Sequence, residues 1–254
     1  MVRVQAGFFL SRFFLTALSA IALSTGAAAA AADRETLDAS PTLFTVMAAM
    51  NAAGFPVDLD APGNHPLRTQ VLREVLSANP ASLVPLRAFF EKHRKTKGAE
   101  ELSQYVSFAL SVHGPPDFRF GGRDVDTPPD AVALRELIPL LAKFYKEADI
   151  EGLWKRSQPS VDQYLQRYQA PVADTLLQVN AYLRQLPSGI KGRSFQVQVS
   201  LLGPPGQVQT RSYGDDYTIV ATPSAQPRVF EIRHAYLHYL LDPLSTRERD
   251  ILGR

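Results

Sequence analysis

The sequence predicts an α+β protein, mostly helical, with a small sheet late in the chain. From residue 42 to about 187 the apolar residues recur at helical spacing. After Gly192 the period changes. Phe195, Val197, Val199 and Leu201 alternate with Gln196, Gln198 and Ser200, the pattern of a strand with one buried face. Helical character then returns over about residues 227–241, where the segment is apolar almost all round.

Composition narrows the class further. The chain has 254 residues, 45% hydrophobic and 20% charged, which is enough apolar side chain for a packed core. It has no cysteine, so a disulfide framework, a thiol nucleophile and an iron–sulfur cluster are excluded. Residues 1–32 read as a secretory signal peptide. Arg3 and Arg12 lead into the apolar stretch Phe13 to Leu23, and the small residues Gly26 to Ala32 offer a cleavage site before Asp33. That apolar stretch falls short of the roughly 20 residues a bilayer span requires. A secreted or periplasmic product with no stable membrane span after cleavage is therefore expected. Removing residues 1–32 removes two arginines and no acid, which leaves 25 basic and 25 acidic side chains. A formally neutral chain has no electrostatic case for binding nucleic acid, so the expected partner is a peptide or protein of unknown identity.

The mature chain divides into a helical region, 33–192, and a C-terminal region, 193–254. Pro66 sits as an N1 proline ahead of Leu67, Val71 and Val75 on one helix face. A helix over about 80–97 ends in Lys92-His93-Arg94-Lys95, cations suited to a helix C-terminus, with Gly98 behind them. Leu102, Tyr105, Val106 and Ala109 make the next helical face. A loop rich in Pro, Gly and Asp runs from His113 to Asp130. Helix resumes with Leu134, Leu137, Ile138 and Leu141, with a kink expected at Pro139. The stretch carrying Trp154, Tyr164, Tyr168 and Leu176 to Leu183 is expected to break at Pro171. Three strands, from Phe195, from Val208 and from Tyr217, suggest an antiparallel meander. Asp58 and Asp60, like Asp124 and Asp126, read as turn residues, since neither pair continues as a calcium loop.

One constellation carries chemistry: the segment Glu231-Ile232-Arg233-His234-Ala235-Tyr236-Leu237-His238-Tyr239-Leu240-Leu241-Asp242. At 100° per residue, Glu231, His234, His238 and Asp242 fall within about an 80° arc. Imidazoles at i and i+4 on one face can both reach a single metal ion. Equally, two histidines on a buried helix can serve as hydrogen-bonded core residues. His65, His93 and His113 are isolated from this pair in sequence.

Residues 194–244, a small sheet followed by a His-x-x-x-His helix, resemble the gluzincin metallopeptidases of the zincin superfamily. They are similar also to secreted bacterial proteins in which a helical N-terminal part precedes a zincin-like core. The resemblance implies zinc held by His234 and His238, with Glu231 and Asp242 behind the ligands. It also exposes what is missing. Ala235 stands where the family has its general-base glutamate, and a methyl group cannot accept a proton. The third ligand has no clear counterpart. Glu248 is available, yet Ser245-Thr246-Arg247-Glu248 reads as a capping box, and Asp242-Pro243 as the start of a last short helix. The chain stops sixteen residues after His238, so the zincin-like part looks incomplete. The expectation is a zincin-like pseudoenzyme, catalytically impaired, binding zinc through two histidines. The alternative is a non-enzymatic helical binding or scaffold protein of the cell envelope.

Overall fold

Leu37, at the start of strand β1 (Leu37–Asp38), pairs with Val197, so the sheet draws on both ends of the described chain. The computed structural model describes residues 36–55, 61–121, 127–184, 193–213 and 216–247. The expected signal peptide lies outside these residues, as do Glu248 and the aspartates of the 58–60 and 124–126 turns.

Helix α1 (Pro41–Ala53) is the centre of the molecule. Ser40 caps it, the hydroxyl accepting from the Leu43 N–H at 3.2 Å, and Gly54 closes it in the left-handed region at φ 94°. Every residue from Thr42 to Ala52 is buried. A helix apolar on all sides needs neighbours on all sides. These are α2 (Pro66–Ala78), α3 (Leu83–Lys92), α4 (Gly98–Ser111), α6 (Leu137–Glu147) and the long α7 (Ile150–Leu183). The buried polar groups of α1 find partners: Thr42 donates to the Gly114 carbonyl at 2.5 Å, and the Asn51 amide to the Leu202 carbonyl at 2.9 Å.

Two prolines behave differently from expectation. Pro139 is the third residue of α6, where its missing N–H leaves no bond unmade, so it imposes no kink. Helix α7 runs unbroken through both Pro159 and Pro171. Tyr164, Tyr168, Val172, Thr175 and Val179 stay buried across the second proline. Continuous packing thus outweighs a local cost of about 3 kcal/mol. The basic run is a helix end as expected, but Gly98 opens α4 instead of closing α3. Lys92 pairs with Glu136 and Arg94 with Glu91. Within the Pro- and Gly-rich loop, β2 (Val112–His113) and β3 (Arg119–Phe120) pair antiparallel, and α5 (Pro129–Val132) follows.

The α+β class is as expected, but the late sheet is mixed, not an antiparallel meander. Its order is β1-β4-β6-β5, from β4 (Ser194–Val199), β5 (Val208–Tyr213) and β6 (Asp216–Ala221). Strand β4 runs parallel to both β1 and β6, and only β5 is antiparallel to β6. Burial explains the order. Tyr217 to Ala221 of β6 are buried throughout and take a central place, whereas β5, with Gln209, Thr210, Arg211 and Ser212, goes to the edge. Arg211 pins that edge to α4 by donating to the Ser103 carbonyl at 2.7 Å.

A candidate metal site on the last helix

The last helix, α8 (Val229–Arg247), is held by one face. Ile232, Ala235, Tyr236, Tyr239 and Leu240 are buried, against α7 and strands β4 and β6. The Tyr236 hydroxyl donates to Asn180 Oδ1 at 3.0 Å, and the Tyr239 hydroxyl to the Arg193 carbonyl at 3.2 Å. The ring of Phe195 on β4 lies 4.8 Å from that of Tyr236 and 5.5 Å from that of Tyr239. These contacts fix the rotation of α8 about its axis. They turn His234 and His238 outward.

The polar stripe is therefore on the solvent side, not within a buried helix. The two imidazole rings meet edge to face with centroids 4.7 Å apart. Their Nε2 atoms are 3.2 Å apart, while His238 Nδ1 lies 3.0 and 3.1 Å from the two carboxylate oxygens of Asp242. When Nδ1–H of His238 donates to Asp242, the Nε2 lone pair is directed at His234. At 3.2 Å the two Nε2 atoms are within hydrogen-bond distance of each other, and with both lone pairs free they are the two nitrogens that would hold a zinc ion. The donor set thus fits a metal ion held at two of its positions, with a carboxylate fixing the tautomer of one ligand. Asp242 also bears on β6: burial foremost, and then the Asp242 charge, push the Tyr217 hydroxyl upward in pKa.

The neighbours of the pair complete the picture. Glu231 turns to Arg228, 2.5 Å away, instead of to either histidine. Helix α8 continues through Pro243 to Arg247, so Asp242 caps no new helix; the Ser245 hydroxyl donates to its carbonyl at 2.8 Å. Ala235, at the position of the missing base, is 2% exposed and faces the core. Among the described residues no third histidine, aspartate or glutamate joins His234 and His238 in a metal-holding group. His65 is occupied as the N-cap of α2, accepting from the Leu67 N–H, and His93 Nδ1 is 2.9 Å from the Phe89 carbonyl. The solvent side of α8 is also apolar. Phe230 is 77% exposed, Leu241 43% and Leu244 42%.

Sequence reading misses a second polar cluster. The buried Ser107 hydroxyl on α4 lies 2.9 Å from Asp130 Oδ1 on α5 and 2.8 Å from the Tyr213 hydroxyl on β5. Its members are separated too widely in sequence for any spacing to reveal them. It joins three elements, and Asp130 Oδ1 also accepts from the Ala131 N–H at 3.0 Å.

Among the described residues no helix is long and apolar enough to cross a membrane. Compared with known proteins, the chain matches no family model, no curated protein and no solved structure.

Proposed function

We propose that this chain is an exported, zincin-like protein without peptidase activity, which binds a divalent transition metal ion, zinc first, through His234 and His238. The observation that supports this most is the apposition of the two Nε2 atoms at 3.2 Å, with Asp242 behind His238. An i,i+4 histidine pair gains affinity when one ring is already oriented by a carboxylate, because less freedom is lost on binding. Zinc bound there would supply a Lewis-acid centre with open coordination positions. Neither the residue at the base position nor the nearby glutamate is placed to use it hydrolytically. The base position is a buried alanine, and Glu231 is engaged by Arg228. Export is supported by the N-terminal pattern of Arg3, Arg12, the apolar stretch and the small residues before Asp33.

Zinc content after dialysis at pH 7.5 tests the site, beside a His234→Ala/His238→Ala variant. Both histidines are exposed, so the variant should fold. Zinc retained by the natural chain and lost by the variant is the expected result. Equal, negligible zinc in both would overturn metal binding and leave the alternative, a helical binding or scaffold protein of the envelope.

A further inference from the structure

Helix α8 buries one apolar face and exposes another. Phe230, Leu241 and Leu244 are exposed and fall within about 40° of one line along the helix, while Leu237 on that line is part-buried and packs against the core. His234 lies about 40° and His238 about 80° around the helix from Phe230, on the flank of this stripe. A helix apolar on both sides is ordinarily covered on both sides. Zinc at His234 and His238 has the matching deficit, two ligands filled and two open of the usual four.

We propose that one occupant satisfies both needs: a second copy of this chain, with α8 packed antiparallel on α8 and one zinc ion held by His234 and His238 of each copy. This rests on the metal-binding reading above and adds its partner. A two-fold axis through the metal supplies two more imidazoles in the arrangement already present, an isologous contact that closes on itself. The spacing suits it. Phe230 lies six residues before the midpoint of the histidine pair and Leu241 five after it, about 9 Å and 7.5 Å along the axis. Each copy's Phe230 therefore meets the other's Leu241 on either side of the metal. Of the nearby carboxylates, Glu231 is paired with Arg228, and Asp242 is turned to His238 Nδ1 on its own helix.

The interface depends on the ion. One helix face provides far less than the roughly 800 Å² per partner of a standard stable interface. The copies should separate when the metal is removed.

Sedimentation velocity and zinc analysis on the purified protein, with zinc chloride or with EDTA, decide the matter. The expected result is a monomer in EDTA and a dimer in zinc with one zinc per two chains. Two variants share the burden. His234→Ala/His238→Ala should stay monomeric and zinc-free. Leu241→Lys keeps both ligands but puts a charge at the apolar contact; it should still take up zinc while weakening the dimer by about tenfold or more. A zinc-loaded monomer, one ion per chain, would overturn the shared site and leave metal binding intact. A dimer indifferent to EDTA and to loss of the histidines would overturn it as well. Absence of zinc uptake would instead sink the metal reading on which both stand.

Discussion

Arg68 Nη2 donates to Asn51 Oδ1 at 3.0 Å, inside the molecule, and among the described residues no carboxylate pairs with that guanidinium. Arg68 is 1% exposed, its second bond goes to Asn64 Oδ1 at 2.9 Å, and its Nε has no partner. Burial pushes its pKa down to about 10. The shift opposes the charged form, so below that pH the charge costs stability while its hydrogen bonds return some of it. Arg68→Met removes the cost and the bonds together, at nearly conserved volume. It should unfold in urea within about 1–2 kcal/mol of the natural chain, whereas Arg68→Ala, which adds a cavity, should fall a further 1–3 kcal/mol or so. Equal losses in the two variants would show that the charge itself supports the fold.

His65 couples α2 to pH. Its Nδ1 must be unprotonated to accept from the Leu67 N–H at 3.2 Å. Burial first, and then the Arg167 guanidinium, hold its pKa below 6.5. In the unfolded chain the ring protonates as pH falls through about 6.5, while in the folded chain it resists. Stability should therefore be full above that value and decline as pH drops toward the lower, folded-state pKa. Thermal melts from pH 8 to 5 should show the decline. His65→Asn retains a cap acceptor without titrating, and should flatten that part of the curve. An unchanged slope in the variant would assign the pH dependence to other groups.

Two buried tyrosines separate the effect of a satisfied hydroxyl from that of an unsatisfied one. The Tyr105 hydroxyl has no partner, and burial drives its pKa far above the usual tyrosine range. Tyr236 donates to the buried Asn180. Tyr105→Phe should leave stability unchanged or raise it by up to about 1 kcal/mol, because no bond is lost. Tyr236→Phe strands the Asn180 oxygen and should cost about 1–3 kcal/mol. Similar values in urea denaturation would contradict this assignment of partners.

What the sequence shows of this protein follows from local pattern. The alternation through Phe195, Val197 and Val199 is the buried face of β4, and the i,i+4 spacing brings His234 and His238 together. Strand order is less visible, because β6 beside β4 is decided by which hairpin strand is apolar enough for the centre. Proline is a weak guide to breaks in α7, where a buried stripe continues past it. The direction in which His234 faces was hidden for a related reason. A helix apolar all round has no preferred inner side until Tyr236, Tyr239 and Phe195 select one.

Asp242 should matter to metal affinity without being a ligand. It holds His238 Nδ1 at 3.0 and 3.1 Å, on the side away from His234. Asp242→Asn keeps the size of the side chain but loses the charge that favours Nδ1–H donation. Zinc affinity, measured by competition with a chromogenic chelator, should fall by about 10-fold or more. Because Asp242 is exposed, its melting temperature should barely move. An unchanged affinity would mean that the carboxylate merely neighbours the ring.

Ala235→Glu recreates the H-E-x-x-H spacing and asks whether a missing base is all that separates this helix from a peptidase. The position is 2% exposed, between the buried Ile232 and Tyr239 on the same side of α8. A carboxylate placed there loses water and meets apolar side chains, so its pKa rises and folding is penalised by several kcal/mol. The expected outcome is a clear drop in melting temperature and no zinc-dependent cleavage of a fluorogenic peptide. Cleavage at an undiminished melting temperature would show that the glutamate reaches the metal. In that event the non-catalytic reading of His234 and His238 would fall, since the site would lack only its base.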